Sequence, residues 1–265
     1  MKKLTKRQRG IVAGAVAVAI GSVTPLVVRE VSGPVPDFVD PYFAGAPVST
    51  NQWTVLTNRT YIVAYDPATK NPAWVAYRLH WPETFVGPKR PSGFRKDRRL
   101  NSSIGSDDYT NTGYDRGHLA PSYGIGVCYG KWGQRETFLM SNVAPQTPGM
   151  NRGPWRLLEE TAVKLWTYDS TVWVVTGPVY DEDCGSLPAG VKVPSAFFKV
   201  FAKQASSNAP PYMVAFVVPQ RVMMKDPFTN FVVSVNDVEK ITGIDFFSAL
   251  PDDLESIVES ERRLW

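Results

Sequence analysis

Tyr114-Asp115-Arg116-Gly117-His118-Leu119-Ala120 is the stretch on which the reading of this chain turns, because it carries one of only two histidines in 265 residues. Imidazole is the side chain whose unperturbed pKa lies near neutrality, so it is the natural proton acceptor for chemistry run at that pH. Asp115 and Arg116 set both signs of charge beside His118, and Gly117 permits a close backbone approach or an unusual φ. Taken alone, these residues fit a salt-bridged turn as well as a catalytic one. The other histidine, His80, ends an alternating stretch that begins at Ala73, and reads as a partly buried structural residue.

The residues downstream shift that balance. Ser141-Asn142-Val143-Ala144-Pro145-Gln146 is followed by Asn151-Arg152-Gly153-Pro154-Trp155 and then by Glu159-Glu160. Neutral amide oxygens with a carboxylate nearby suit a hard cation that keeps most of its water, as Mg²⁺ does. Singly, each has a bland role: Asn142 as a turn cap, Asn151 at a helix entrance, Glu159 as a helix-surface anion. Their order after His118 points instead to metal-assisted phosphate chemistry. Upstream, Lys89, Arg90, Arg95, Lys96, Arg98 and Arg99 crowd one segment in which Asp97 is the only anion, whereas the stretch from Asp252 to Glu261 is acidic. A basic run is most often a solvated face, but this one closes sixteen residues before Asp115, placed to meet a polyanion.

Elsewhere the pattern alternates between strand and helix. Tyr61–Tyr65, a turn at Asp66-Pro67 and Ala73–His80 predict a hairpin, and Lys89–Thr112 predicts a long surface loop. Thr137–Met140 reads as a short apolar strand. Gly153-Pro154 reads as a helix opening, with Trp155, Leu158, Ala162 and Leu165 forming a stripe at i, i+3, i+7 and i+10 that reaches about Thr167. Further strands are expected at Thr171–Thr176, Ala196–Ala202 and Tyr212–Val218. Ser234 should cap a helix through Thr242, and Pro251-Asp252-Asp253 should start a last one. Strands before and after the main helix, without regular βαβ alternation, give a mixed α+β class.

The first thirty residues stand apart. Lys2, Lys3, Lys6, Arg7 and Arg9 precede an uncharged apolar run from Gly10 to Val28, the layout of a signal peptide or signal anchor, with export favoured and cleavage left open. A mitochondrial presequence fits less well, since such segments are amphipathic and rich in Arg and Ser. The formal charge of +4 is therefore misleading: past residue 28 the chain holds 24 cations against 25 anions. Residues 31–52 read as a linker or arm, and residues 53–265 as one globular domain, consistent with 43% apolar content and eight tryptophans. Cys128 and Cys184 are open to pairing or to remaining free thiols, and no Cys/His spacing matches a zinc site.

Tyr114–Ala120 and Phe138–Gln146, with Asn151, Trp155, Leu158-Glu159, Thr176-Gly177-Pro178, Val193–Val200 and Thr242–Phe247, closely resemble the DNA/RNA non-specific endonucleases of the ββα-metal fold, in particular the endonuclease G branch. The resemblance covers about Trp53 to Glu259. It implies a mainly antiparallel central sheet with flanking helices and a ββα-metal finger. It further implies a Mg²⁺-dependent endonuclease, Mn²⁺ substituting, that acts on DNA and RNA and leaves 5′-phosphate ends. On this resemblance His118 is the general base, Asn151 the direct metal ligand, and Arg116 and Glu159 the supports of phosphate and metal-bound water. Asn142 assists the histidine, and Arg95 is the preferred counterpart of the family's phosphate-binding loop arginine, a choice that the basic Lys89–Thr112 loop leaves open. A homodimer is a candidate partner on the same grounds, and a protein inhibitor is one because a secreted nuclease commonly needs protection before export; membrane contact is expected only through an uncleaved leader, the chain being secreted, periplasmic or anchored. Two rival readings are a nucleic-acid-binding module without catalysis and a phosphodiesterase of another substrate on the same scaffold.

Overall fold

A computed structural model of the chain describes residues 29–30, 38–101, 104–204 and 209–264. Apart from Arg29 and Glu30, the expected leader lies outside the described residues, as do positions 31–37 of the expected arm. No helix among the described residues is long and apolar enough to cross a membrane.

Eight strands form one sheet in the order β1-β2-β3-β4-β7-β8-β9-β10. They are β1 (Arg29–Glu30), β2 (Thr54–Thr57), β3 (Tyr61–Asp66), β4 (Asn71–Leu79), β7 (Val172–Val179), β8 (Ala196–Lys203), β9 (Tyr212–Pro219) and β10 (Val232–Val233). Every neighbouring pair is antiparallel except β1 with β2. The fold is thus the expected mixed α+β class, and the Tyr61–Leu79 hairpin and the three later strands fall where the alternation put them.

Because side chains alternate across a strand, the sheet has two buried faces. In β8, Phe197, Lys199 and Phe201 share one face by this period, and Phe198, Val200 and Ala202 the other. The first face packs Tyr61, Tyr77, Phe197 and Phe201 against Ile125, Trp155, Leu158 and Trp166. The second packs Trp74, Phe198 and Val200 against Val235, Val238 and Val258. Those last three belong to helices α4 (Val235–Thr242) and α5 (Asp252–Val258). Ser234 caps α4 reciprocally with Asp237, as its sequence signals.

On the first face, β5 (Asp115–His118) leads into α1 (Ser122–Glu136), then β6 (Val143–Gln146) and a long helical run. That run comprises α2 (Pro148–Met150), a π-helical turn Asn151–Trp155, α3 (Arg156–Thr161) and a second π-helical turn Ala162–Trp166. Several expectations are corrected here. Thr137-Phe138 is a turn, and only Leu139 makes a single bridge, to Arg95, so the strand begins at Val143. The helix opens at Pro148 and not at Gly153-Pro154, and Pro154 lies inside it, where the non-helical Gly153 (φ −101°, ψ −117°) absorbs the disruption. Leu165, expected in the buried stripe, is 65% exposed, because the second π-helical turn changes the register and buries Val163 and Trp166 instead.

Candidate active site

Strand β5 pairs with β6 in the register Asp115↔Gln146, Arg116↔Pro145, Gly117↔Ala144 and His118↔Val143. A Cβ on Gly117 would lie 2.1 Å from the Gln146 side chain, so close approach, not an unusual φ, is what this glycine provides. The helical run then follows β6 directly. Two strands and a helix thus hold the residues around one cleft of about 370 Å³, lined by His118, Arg116, Asn151 and Glu159 together with Arg90, Arg152 and Arg156. A cleft of similar size elsewhere, about 350 Å³, is lined by Trp53, Asp66 and Tyr180 among others and includes no histidine or cation.

His118 sits against Phe94 and Phe138, with ring centroids 5.0 and 4.8 Å away. The ring is partly exposed, but its Nε2 is buried and has no hydrogen-bond partner. Burial, and next the like charge of Arg90, lower its pKa to about 3, so the imidazole is neutral at physiological pH. Arg90 lies over the same Phe138 ring, 4.9 Å from its centre.

Asn151 donates its amide nitrogen to Asp115 Oδ2 at 2.8 Å, which leaves its carbonyl oxygen to face a cation. Arg152 grips the same carboxylate through Nε and Nη2, at 2.8 and 2.6 Å. Burial opposes the charge on Asp115, but the bonds from Arg152 and Asn151 prevail and hold its pKa below the ordinary carboxylate value. Arg116 donates Nε and Nη2 to the Ser106 carbonyl and Nη2 also to Thr110 Oγ1; its Nη1 has no partner among the described residues.

Glu159 stands on α3 and accepts a 2.9 Å bond from Lys199, a lysine with no exposed side-chain surface. Lys199 also donates to the Tyr77 hydroxyl and lies 4.3 Å from the Trp155 ring centre. Burial pushes the Glu159 carboxyl up and the Lys199 ammonium down, and each partner resists the shift in the other. With Oε1 engaged, Glu159 has Oε2 left for the cleft.

Two residues singled out in the sequence lie outside this cleft. Asn142 is fully buried, accepts from Ala120 N–H at 2.8 Å and donates to the carbonyls of Ala120 and Thr137 at 3.0 and 2.9 Å. It clamps the segment after His118 and acts on the cleft only through the backbone. Arg95 lines a neighbouring cavity, its guanidinium on the Arg135 carbonyl at 3.1 Å, and Arg90 occupies the cleft position instead. Sequence reasoning gave Lys199 no site role, named Arg90 only within the basic run and Arg152 only within the Asn151–Trp155 stretch, and read Asp115 only as a charge beside His118. Lys199 did leave a signal, a cation midway along the apolar β8. Arg99 of the basic run is structural, paired with buried Asp97, which also accepts from Ser141. Cys128 and Cys184 are free thiols, bonded separately to the His80 carbonyl and to Asp181.

The donor set fits a hard divalent ion. Among the described residues no three His, Cys, Asp or Glu groups converge as a metal cage. What the cleft offers is one amide oxygen and one carboxylate oxygen, the kind of partial shell that Mg²⁺ completes with water.

Residues 44–253 match the family model described as DNA/RNA non-specific endonuclease. The chain is 30% identical to a nuclease of Serratia marcescens, over 89% of this chain and 91% of the relative. It is 33% identical to nuclease C1 of Cunninghamella echinulata var. echinulata, over 74% and 83%, and 30% identical to human mitochondrial endonuclease G, over 72% and 68%. A chain in a solved EndoG/EndoGI complex superposes with a TM-score of 0.66 at 29% identity, covering 74% of this chain and 86% of that one.

Proposed function

Because this chain belongs to the DNA/RNA non-specific endonuclease family, we propose that it hydrolyses phosphodiester bonds of DNA and RNA with His118 as general base and Asn151 as the direct ligand of Mg²⁺, leaving 5′-phosphate ends. The observation that carries this reading is a neutral imidazole with an unpartnered ring nitrogen, in the same cleft as an amide oxygen, two carboxylates and four guanidinium groups.

His118 takes a proton from water as that water attacks phosphorus. The phosphodiester anion, drawn to Arg90, offsets the repulsion that lowers the imidazole's basicity in the free enzyme. The free Nη1 of Arg116 gives a charge-assisted bond to a phosphoryl oxygen, one that strengthens as negative charge gathers there. Asp115 orients the Asn151 oxygen, and Lys199 fixes Glu159 toward the metal's water. A divalent ion held at Asn151 would supply Lewis-acid stabilisation of the negative charge that develops in the reaction. A site of this kind grips the sugar-phosphate backbone and reads no base edge, hence little sequence preference and activity on both nucleic acids. Within the same proposal, residues 53–265 are the catalytic body, residues 1–30 export or anchor it, Mn²⁺ substitutes for Mg²⁺, and a homodimer and a protein inhibitor of the kind named in the EndoG/EndoGI complex are its candidate partners.

Plasmid nicking and RNA hydrolysis, each with and without EDTA, test this reading beside His118→Ala and Asn151→Ala. EDTA should abolish cutting. His118→Ala should lower kcat by about 10²–10⁴-fold, the range for removal of a general base, with the fold retained. Undiminished nicking by His118→Ala, or after the metal is stripped, would overturn the mechanism.

A further inference from the structure

Beside the cleft lies a second cavity of about 250 Å³, walled by Lys89, Arg95, Lys131 and Arg135 around the turn at Pro91–Gly93. No carboxylate lines it, and among the described residues none of these four cations takes part in an ion pair. One wall of the cavity is fixed in place, although all four cations are exposed. Arg95 is pinned on both sides of its backbone, its N–H on the Phe138 carbonyl and its carbonyl on the Met140 N–H, each at 2.9 Å. Its guanidinium holds the Arg135 carbonyl near the end of α1. Lys131 and Arg135 stand one turn apart on that helix, on its exposed side. Four like charges held around one concavity repel each other, a cost that an entering anion relieves.

No residue lines both the cavity and the cleft, but the two are built on adjoining residues. Lys89 lines the one and its chain neighbour Arg90 the other. Phe138 touches Arg90 and His118 with its ring and holds Arg95 through its carbonyl. Next to Arg135, Trp132 is 63% exposed, with the guanidinium groups of Arg135 and Arg59 at 5.4 and 5.5 Å from its ring centre. A basic concavity with an exposed aromatic at its edge is what a nucleic-acid strand meets in proteins that track its backbone and stack its bases.

We propose that this cavity is a second phosphate-binding site, which takes the backbone of the same nucleic-acid strand beyond the linkage being cut. The inference rests on the nuclease reading of the cleft, and gives it a length dependence: a strand long enough to reach both sites is held by both.

Binding of fluorescent single strands of 4 and 20 nucleotides to the full chain tests this, in EDTA and with the His118→Ala background so that no cutting occurs. Adding Lys131→Gln and Arg135→Gln should weaken the 20-mer at least fivefold and the 4-mer less than twofold. The slope of log affinity against log salt for the 20-mer should flatten by about 1.4, the value for two phosphate contacts on a single strand. Lys240→Gln with Arg262→Gln removes the same charge at and beyond α4, which packs on the other face of the sheet, and should do neither. Equal losses from both pairs, or none from the first, would overturn the second site while leaving the nuclease reading intact. If neither strand bound the parent protein, the nuclease reading itself would fail, and this inference with it.

Discussion

At the scale of single residues, His118 is defined by what it lacks: a hydrogen bond to Nε2 and any carboxylate to favour its charged form. Its pKa of about 3 in the fold lies below the 6.5 of an exposed histidine, so between these values the unfolded chain binds a proton that the folded chain refuses. This contribution to stability is fully present above pH 6.5 and is lost as pH falls from 6.5 toward 3. With only two histidines in the chain, a proton NMR titration is simple to read. The C2 proton of His118 should hold its neutral shift down to pH 5, and Arg90→Gln should move its midpoint upward; a midpoint near 6.5 in the parent would contradict the burial argument. His118, Arg116, Asn151 and Glu159 were legible in the sequence because each is a reactive type in an ordered series. The placement of Arg90 in the cleft and of Arg95 in the neighbouring cavity was not. It depends on the pairing of Arg95 with the segment around Leu139, a contact between residues far apart in the chain.

At the scale of elements, β5 and β6 work only if nothing stands between Gly117 and Gln146. Gly117→Ala places a Cβ 2.1 Å from buried Gln146, so the pair must part or Gln146 must leave its place. Overpacking of this kind costs roughly 1–3 kcal/mol, and the same movement displaces His118. Urea unfolding should therefore show a lower midpoint, and nicking should fall by more than the loss of folded protein explains; an unaltered midpoint would mean that the strands tolerate the methyl. Helix α4 was legible because its cap is local, Ser234 bonding Asp237 three residues on. Helix α1 was not, since four glycines in fifteen residues weaken its helical signal, and what holds it is packing against β4 and α3. The misplaced Leu165 has a similar cause: a steady 3.6-residue period cannot foresee a π-helical turn.

At the scale of the whole molecule, the sheet floors the site, and Lys199 is where floor and site join. Lys199→Met strands the largely buried Glu159 carboxylate, whose side chain is 17% exposed, without its partner, a loss of up to about 3–5 kcal/mol, the range for broken buried pairs. Glu159→Gln added to it should restore most of the stability and none of the activity. Thermal unfolding of the single and double variants reads this out, and a single variant as stable as the parent would show that the pair carries no weight. One other long-range feature bears on the site. Added Cβ atoms on Gly149 and Gly153 would run into the backbone of Val222 and Met224, at 2.7 and 2.5 Å. The loop after β9 is therefore seated directly on the turn that presents Asn151, although some seventy residues separate them in the chain. Insertions in that loop, harmless on an ordinary surface, would here be transmitted to the proposed cation ligand, so residues 221–226 should act as a remote tuning point for the affinity of that site.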